Sequence, residues 1–165
     1  MSAQRVVVTG MGTINPLGHN VAETWDKVHV GRSGITKITK FDAANFTSQV
    51  AGEVKDFDYK TVFTEEHLKT AKRLEPFVHY AEKALLEALD QSQLNIDENP
   101  ERIGICLGSG IGGIYSAFSN SEALLSRGNR RVSPFYIPAT IGNIASGFLS
   151  MIHGMKGPNL SMQTA

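Results

Sequence analysis

The chain has one cysteine and one tryptophan, and only 8% of its residues are aromatic. A lone cysteine excludes an internal disulfide framework. It also leaves no thiolate cluster for a metal, and it fits a reducing compartment. No charge sign is in excess, since 16 Lys and Arg balance 16 Asp and Glu. That balance argues against bulk nucleic-acid binding and against an acidic or basic tail. Long apolar runs are also missing. The most apolar stretch, residues 135–155, contains Pro138, Asn143, His153 and several glycines and serines. It predicts a buried core helix, not a membrane span. No secretory signal is visible, because residues 1–4 lead straight into a strand-like run. His19, His29, His67, His79 and His153 are scattered, and none has a zinc-ligand spacing to a partner.

What is present alternates between strand and helix signals. Arg5-Val6-Val7-Val8-Thr9-Gly10 and Arg102-Ile103-Gly104-Ile105-Cys106-Leu107 are apolar runs of the kind buried on both faces of a parallel or mixed sheet. Inside the second run Cys106 is expected to be a buried, inert thiol. Asn20 with Glu23 predicts a capped helix carrying Val21, Trp25 and Val28 on one stripe, stopped at Gly31. One short strand is expected within residues 49–54, and Thr64-Glu65-Glu66 starts a short helix. Pro76 opens the clearest helix, with Phe77, Tyr80, Ala81, Ala84, Leu85, Ala88 and Leu89 on its inward face. Glu82, Lys83 and Glu87 lie off that stripe. A further helix runs from about Ile114 to Arg127, closed by Gly128. Residues 130–138 are expected to be a loop and residues 140–155 a small-residue helix at the centre of the molecule. Gly157-Pro158 then turns into a strand with Leu160 and Met162 on one face and Ser161 and Gln163 on the other. That strand stops in mid-pattern at Thr164-Ala165, which predicts that the polypeptide continues.

Two glycine patterns invite a nucleotide reading. Gly108-x-Gly110-x-x-Gly113 follows a strand and opens a helix, as a dinucleotide fingerprint would. The ribose-binding carboxylate expected about 20 residues on is missing, and Arg127, Arg130 and Arg131 occupy that region. A tight turn that needs positive φ or close backbone contact is favoured. Gly10-x-Gly12 has Asn15 where a third glycine would stand and is weaker still. Lys69, Lys72 and Arg73 would form one cationic helix face, either solvated or a dock for an acidic partner. Phe135, Tyr136 and Ile137, braced by Pro134 and Pro138, suit a core or a subunit interface.

Taken jointly, several motifs resemble one family. They are Val6-Val7-Val8-Thr9-Gly10-Met11-Gly12, Pro16-Leu17-Gly18, Gly31-Arg32-Ser33-Gly34-Ile35 and Gly108-Ser109-Gly110-Ile111-Gly112-Gly113. Ser133-Pro134-Phe135-Tyr136-Ile137-Pro138 and the closing Gly157-Pro158-Asn159 to Thr164-Ala165 complete the set. Together they are similar to the β-ketoacyl-acyl carrier protein synthases, and to the synthase II type more than synthase I. The resemblance implies an α/β, thiolase-like fold layered α-β-α-β-α, with residues 1–165 as its N-terminal half around a mixed sheet of five-stranded type. It implies a cytoplasmic homodimer that condenses an acyl-enzyme thioester with malonyl-carrier, losing CO2, in fatty acid elongation. No metal and no organic cofactor are implied.

By the same resemblance the nucleophilic cysteine directly follows Ala165, and the active-site histidines and lysine lie beyond it, so no catalytic residue falls in this chain. Ile111 matches a gate at the base of the acyl pocket. Tyr136 and Ile137 match residues that line the partner subunit's pocket. Lys69, Lys72 and Arg73 match the basic region that meets the acyl carrier protein. Two alternatives stay open: a non-catalytic, chain-length-factor-like partner subunit, and a small nucleotide-binding module.

Overall fold

A computed structural model describes residues 5–164; residues 1–4, where a secretory signal would begin, lie outside the described residues. The chain divides into two compact units. The first takes the chain up to Tyr59 together with Lys83–Gln93, and the second takes Lys60–Glu82 and everything from Leu94.

In the first unit, α1 (Val21–Val28) begins where the Asn20 side chain accepts the Glu23 N–H at 2.8 Å. The expected capping box is shifted by one residue. Glu23 accepts the N–H of His19, at 2.9 Å, in place of the cap's own. That bond holds the Glu23 carboxyl below the usual carboxylate range. Gly31 follows at φ +71, so the stop signal is where the sequence places it. The apolar stripe of α1 is nevertheless uncovered: no residue of the helix is buried, and Trp25 is 65% exposed. The strand expected within residues 49–54 is β2 (Val50–Gly52). It pairs antiparallel with β1 (Ile35–Lys37), which the mixed composition around it hides.

The run Arg5 to Gly10 is not the buried strand its composition predicts. It joins no ladder, and Val6, Val7 and Val8 are 94%, 63% and 79% exposed. The competing attraction comes from the later turns of α3 (Pro76–Ser92). Gln91 Oε1 accepts the Met11 N–H at 2.6 Å, and a Glu87 oxygen accepts the Thr13 N–H at 3.0 Å. The backbone is drawn against the helix so tightly that a Cβ on Gly10 would stand 2.1 Å from the Ala88 carbonyl oxygen. On Gly12 it would stand 1.9 Å from that of Ala84. Gly10-x-Gly12 is therefore a close-approach motif, not a phosphate loop.

The second unit holds β3 (Ile105–Gly108) and β4 (Asn159–Met162), paired parallel with Ile105 opposite Asn159 and Gly108 opposite Met162. Parallel strands need a long crossover. Here it consists of α4 (Ile114–Arg127), α5 (Tyr136–Thr140) and α6 (Ile144–His153). The loop expected at residues 130–138 thus contains the start of α5, and the helix expected from residue 140 begins only at Ile144. α6 covers one face of the sheet: Asn159 Nδ2 donates to Ser146 O and Ser150 Oγ, both at 2.9 Å. The other face is open. Cys106, expected to be buried, is exposed there, with Leu160 and Met162 60% and 61% exposed. A parallel pair normally needs both faces covered, and only one is.

The core of this unit is Ala145, Phe148 and Leu149 of α6 with Val78 of α3 and Ala71 at the end of α2 (Glu65–Ala71). Phe63 packs on Phe148 with ring centroids 5.9 Å apart. The buried side of the first turns of α3 is Val78, His79 and Glu82, not the alanine- and aromatic-rich stripe the periodicity suggests. Glu82 is buried because His153 Nε2 sits 3.1 and 2.9 Å from its two oxygens. The described strands form two two-stranded sheets in place of the expected mixed sheet of five-stranded type. The first long run lies along a helix, and the other strands are three or four residues long.

Candidate functional site

Three segments of the second unit meet where β3 and β4 end. The Ser109 N–H donates to Met162 O at 2.9 Å, which ties the glycine turn to the last residue of β4. Ser109 Oγ accepts the Gly112 N–H at 3.0 Å, and the Gly113 N–H donates to Thr140 O at 3.0 Å. Gly112 has φ +87, and a Cβ on Gly113 would stand 2.0 Å from Ala139 O. Side chains at these two positions would push the turn off α5. The third segment is Gln163, whose side chain covers Gly142 so closely that a Cβ there would meet its Nε2 at 1.4 Å.

This geometry decides between the two readings of the glycine pattern. A phosphate site needs helix N-terminal N–H groups free to face a ligand. The Gly112, Gly113 and Ile114 amides instead bond to Ser109 Oγ, Thr140 O and Gly112 O. The turn is a structural clamp, as its lack of a ribose-binding carboxylate suggests.

The residues expected to line an acyl pocket lie on the clamped segments. Ile111 is on the turn, 64% exposed, two positions before the residue that bonds α5. Tyr136 and Ile137 open α5, half-buried and 59% exposed respectively. The clamp joins their two segments through Gly113 and Thr140. The expected position of the nucleophile, after Ala165, lies outside the described residues.

Lys69, Lys72 and Arg73 are all exposed, and among the described residues none is in an ion pair. They do not form one helical face as expected, because α2 ends at Ala71 and Lys72 caps it. Lysine at a helix C-terminus also favours the macrodipole, as Glu65 and Glu66 do at the other end. Arg73 lies beyond the helix, and its Cζ stands 3.9 Å from the Phe135 ring centroid. Arg130 and Arg131 are exposed on the 3-10 turn that leads into this segment.

Sequence reasoning missed the buried polar stripe of this unit. Glu75 accepts a bond from Ser116 Oγ, His79 Nε2 lies 2.8 Å from Ala71 O, and Glu82 pairs with His153. Burial pushes the His79 pKa down, partly offset by the Ala71 carbonyl and by Glu75. The available signal was spacing. Residues 75, 79 and 82 are i, i+4 and i+7, a spacing that puts His79 and Glu82 on one face of α3 with Glu75 just ahead of its first turn.

Comparison with known proteins agrees with the motifs. A family model described as Beta-ketoacyl synthase, N-terminal domain, matches residues 3–165. The 3-oxoacyl-[acyl-carrier-protein] synthase 2 of Coxiella burnetii is 43% identical over 166 aligned residues, and that of Vibrio harveyi 44%. Each alignment covers 100% of this chain and 39% of the relative, so the chain spans about two fifths of their length. Among solved structures, the ishigamide ketosynthase/chain length factor matches with TM-score 0.75 and 25% identity over 96% of this chain and 39% of its own. A type II polyketide ketosynthase, solved in complex with its acyl-carrier protein, matches with TM-score 0.74 and 25% identity, covering 97% of this chain and 41% of that one. The thiolase-like α/β fold expected from the motifs is the fold of these neighbours. The family model over residues 3–165 and the identity along the whole of this chain show that it belongs to the β-ketoacyl synthase family, as its N-terminal domain.

Proposed function

We propose that the protein carrying this chain is a 3-oxoacyl-[acyl-carrier-protein] synthase of the type 2 class, acting in fatty acid elongation as a cytoplasmic homodimer. The observation that carries this reading is similarity at 43% identity along the whole chain to a synthase 2. The reaction joins two thioesters. A cysteine, expected after Thr164-Ala165, takes the acyl group and releases the carrier thiol. Malonyl-carrier then loses CO2, and the resulting carbanion attacks the acyl thioester, which frees the cysteine and leaves a 3-oxoacyl-carrier. A cysteine that ends a strand and opens a helix has its thiolate favoured by the helix N-terminus. In this chain the glycine turn fixes the end of β4 through the Ser109–Met162 bond, and so positions whatever follows.

The substrates are a fatty acyl thioester and malonyl-carrier, with the acyl chain running past Ile111 and past Tyr136 and Ile137 of the opposite subunit. The exposure of Ile111 and Ile137 supports this, since neither is occupied by the chain's own core. The exposed cations Lys69, Lys72 and Arg73 present charge to an acidic carrier, and the ketosynthase neighbour solved with its carrier supports that partner.

In the complete protein, charge reversal at Lys69 and Lys72 is expected to weaken carrier binding at least tenfold, measured by titration with acyl carrier protein. Unchanged affinity would remove the docking surface. Ile111→Phe is expected to shorten the longest acyl chain extended, read from the product profile; an unaltered profile takes Ile111 out of the pocket.

A further inference from the structure

Arg73 and Phe135 form a contact that the docking reading does not use. The guanidinium carbon lies 3.9 Å over the ring centroid, within the range of a cation–π contact. Both partners are held by their backbones. The Arg73 N–H donates to Thr70 O at 2.9 Å, and Leu74 beside it is buried. The Phe135 N–H donates to Ser133 Oγ at 3.1 Å, and its carbonyl accepts the Ala139 N–H at 2.9 Å, closing the first turn of α5. Ser133 in turn donates its N–H to Asn120 Oδ1 of α4 at 2.7 Å. Phe135 is thus a fixed platform, and the cation rests on it.

A stacked guanidinium keeps its N–H edge free. That planar edge matches a carboxylate or phosphate bidentately, which a lysine ammonium cannot do. Lys69 and Lys72 supply attraction without a fixed direction. Arg73, held over the ring, supplies orientation.

We propose that Phe135 is a positioning residue that pre-orients Arg73 for a carboxylate or phosphate on the acidic carrier protein. Because Phe135 also caps α5, docking at Arg73 is coupled to the placement of Tyr136 and Ile137. This rests on the docking reading of the cationic residues. Linkage makes the coupling reciprocal, so an ordered platform favours docking and docking orders the platform.

The test is carrier affinity in the complete protein, titrated with acyl carrier protein. Phe135→Leu removes the ring without changing charge and is expected to lower affinity about two- to fivefold. Phe135→Tyr keeps the ring face and is expected to restore the native value. Arg73→Lys keeps the charge and loses the flat fork, with a loss at least as large as that of Phe135→Leu. The double variant should be no weaker than Arg73→Lys alone, since both changes remove one contact. A general loss of packing would give neither the tyrosine rescue nor this non-additivity. Native affinity in Phe135→Leu, or additive losses, overturns the proposal. Lys69→Glu separates the two claims. If it weakens binding while Phe135→Leu does not, docking stands and the platform falls. If neither variant matters, docking itself is wrong.

Discussion

The two units of this chain are held together differently. The second is built on apolar burial: Val78, Ala71 and Ala145 are fully buried, Leu149 and Phe148 nearly so, and aromatic rings pack around them. The first has Gly18, Ala43 and Glu53 as its buried residues among those described. It is laced by polar side chains on backbone N–H groups. Glu87 accepts from Thr13 and Val21, Gln91 from Met11, and Asn20 from Glu23. Glu53 alone accepts from the Thr39 N–H, the Thr39 hydroxyl and the Lys40 N–H. Apolar burial is non-directional and collective, whereas each of these polar bonds contributes modestly and fixes one geometry. The two units should therefore fail under different perturbations.

The largest expected effect is in the cored unit. Leu149 is 1% exposed, so Leu149→Ala leaves a cavity and is expected to cost about 2–5 kcal/mol. Amide exchange should show protection lost across α6, β3 and β4. An equal loss in β1 and β2 would erase the distinction between the units.

Acid sharpens the contrast by separating two pH windows. Burial lowers the His79 pKa from 6.5, so the unfolded chain binds that proton more readily than the folded one. The stability His79 gives is present above about pH 6.5 and is lost as pH falls through its lower folded value. Glu53 is a carboxylate whose pKa is lowered from 4.5, chiefly by the Thr39 hydroxyl and then by the Thr39 amide. Its contribution is present above about pH 4.5 and is lost below it as the folded value is crossed. On acidification, amides around α3 and α6 should weaken first and those around β2 later. Glu53→Gln should remove the later step and leave the earlier one. A single transition shared by both regions would refute the assignment.

The elements with local signatures were legible in the sequence. α1 has Asn20 as its cap, α3 opens on Pro76, α4 closes on Gly128, and β4 alternates as expected. The family was legible because its motifs recur at fixed places along the chain. What failed was burial. Val6, Val7, Val8 and Cys106 have the composition of a two-sided strand, but composition cannot say whether a covering face is supplied. The inward face of α3 was misjudged because Glu82 looks like a surface residue until His153, 71 positions away, arrives to pair with it. The clamp at Gly113 was half-legible: glycine announced a close approach, and only the fold shows that Thr140 is what it approaches. The platform under Arg73 joins residues far apart in sequence, and no periodicity reports it.

The smallest expected effect probes the polar unit where it is barest. α1 has no buried residue, so tertiary packing gives it little, and an isolated helix of eight residues is marginal in water. Its stability must come from its ends. At the N-terminus Asn20 Oδ1 accepts the Glu23 N–H, and Asn20 Nδ2 donates to Glu23 Oε1, both at 2.8 Å. Asn20→Ala removes both bonds and is expected to cost about 1 kcal/mol. Asn20→Ser keeps the first and should recover most of the loss. The loss should appear as faster amide exchange confined to α1, with α6 unaffected. If exchange in α1 is unchanged, then Val21, Trp25 and Val28 hold the helix by contacts stronger than their exposure indicates, and the first unit is less polar in its construction than its hydrogen bonds imply.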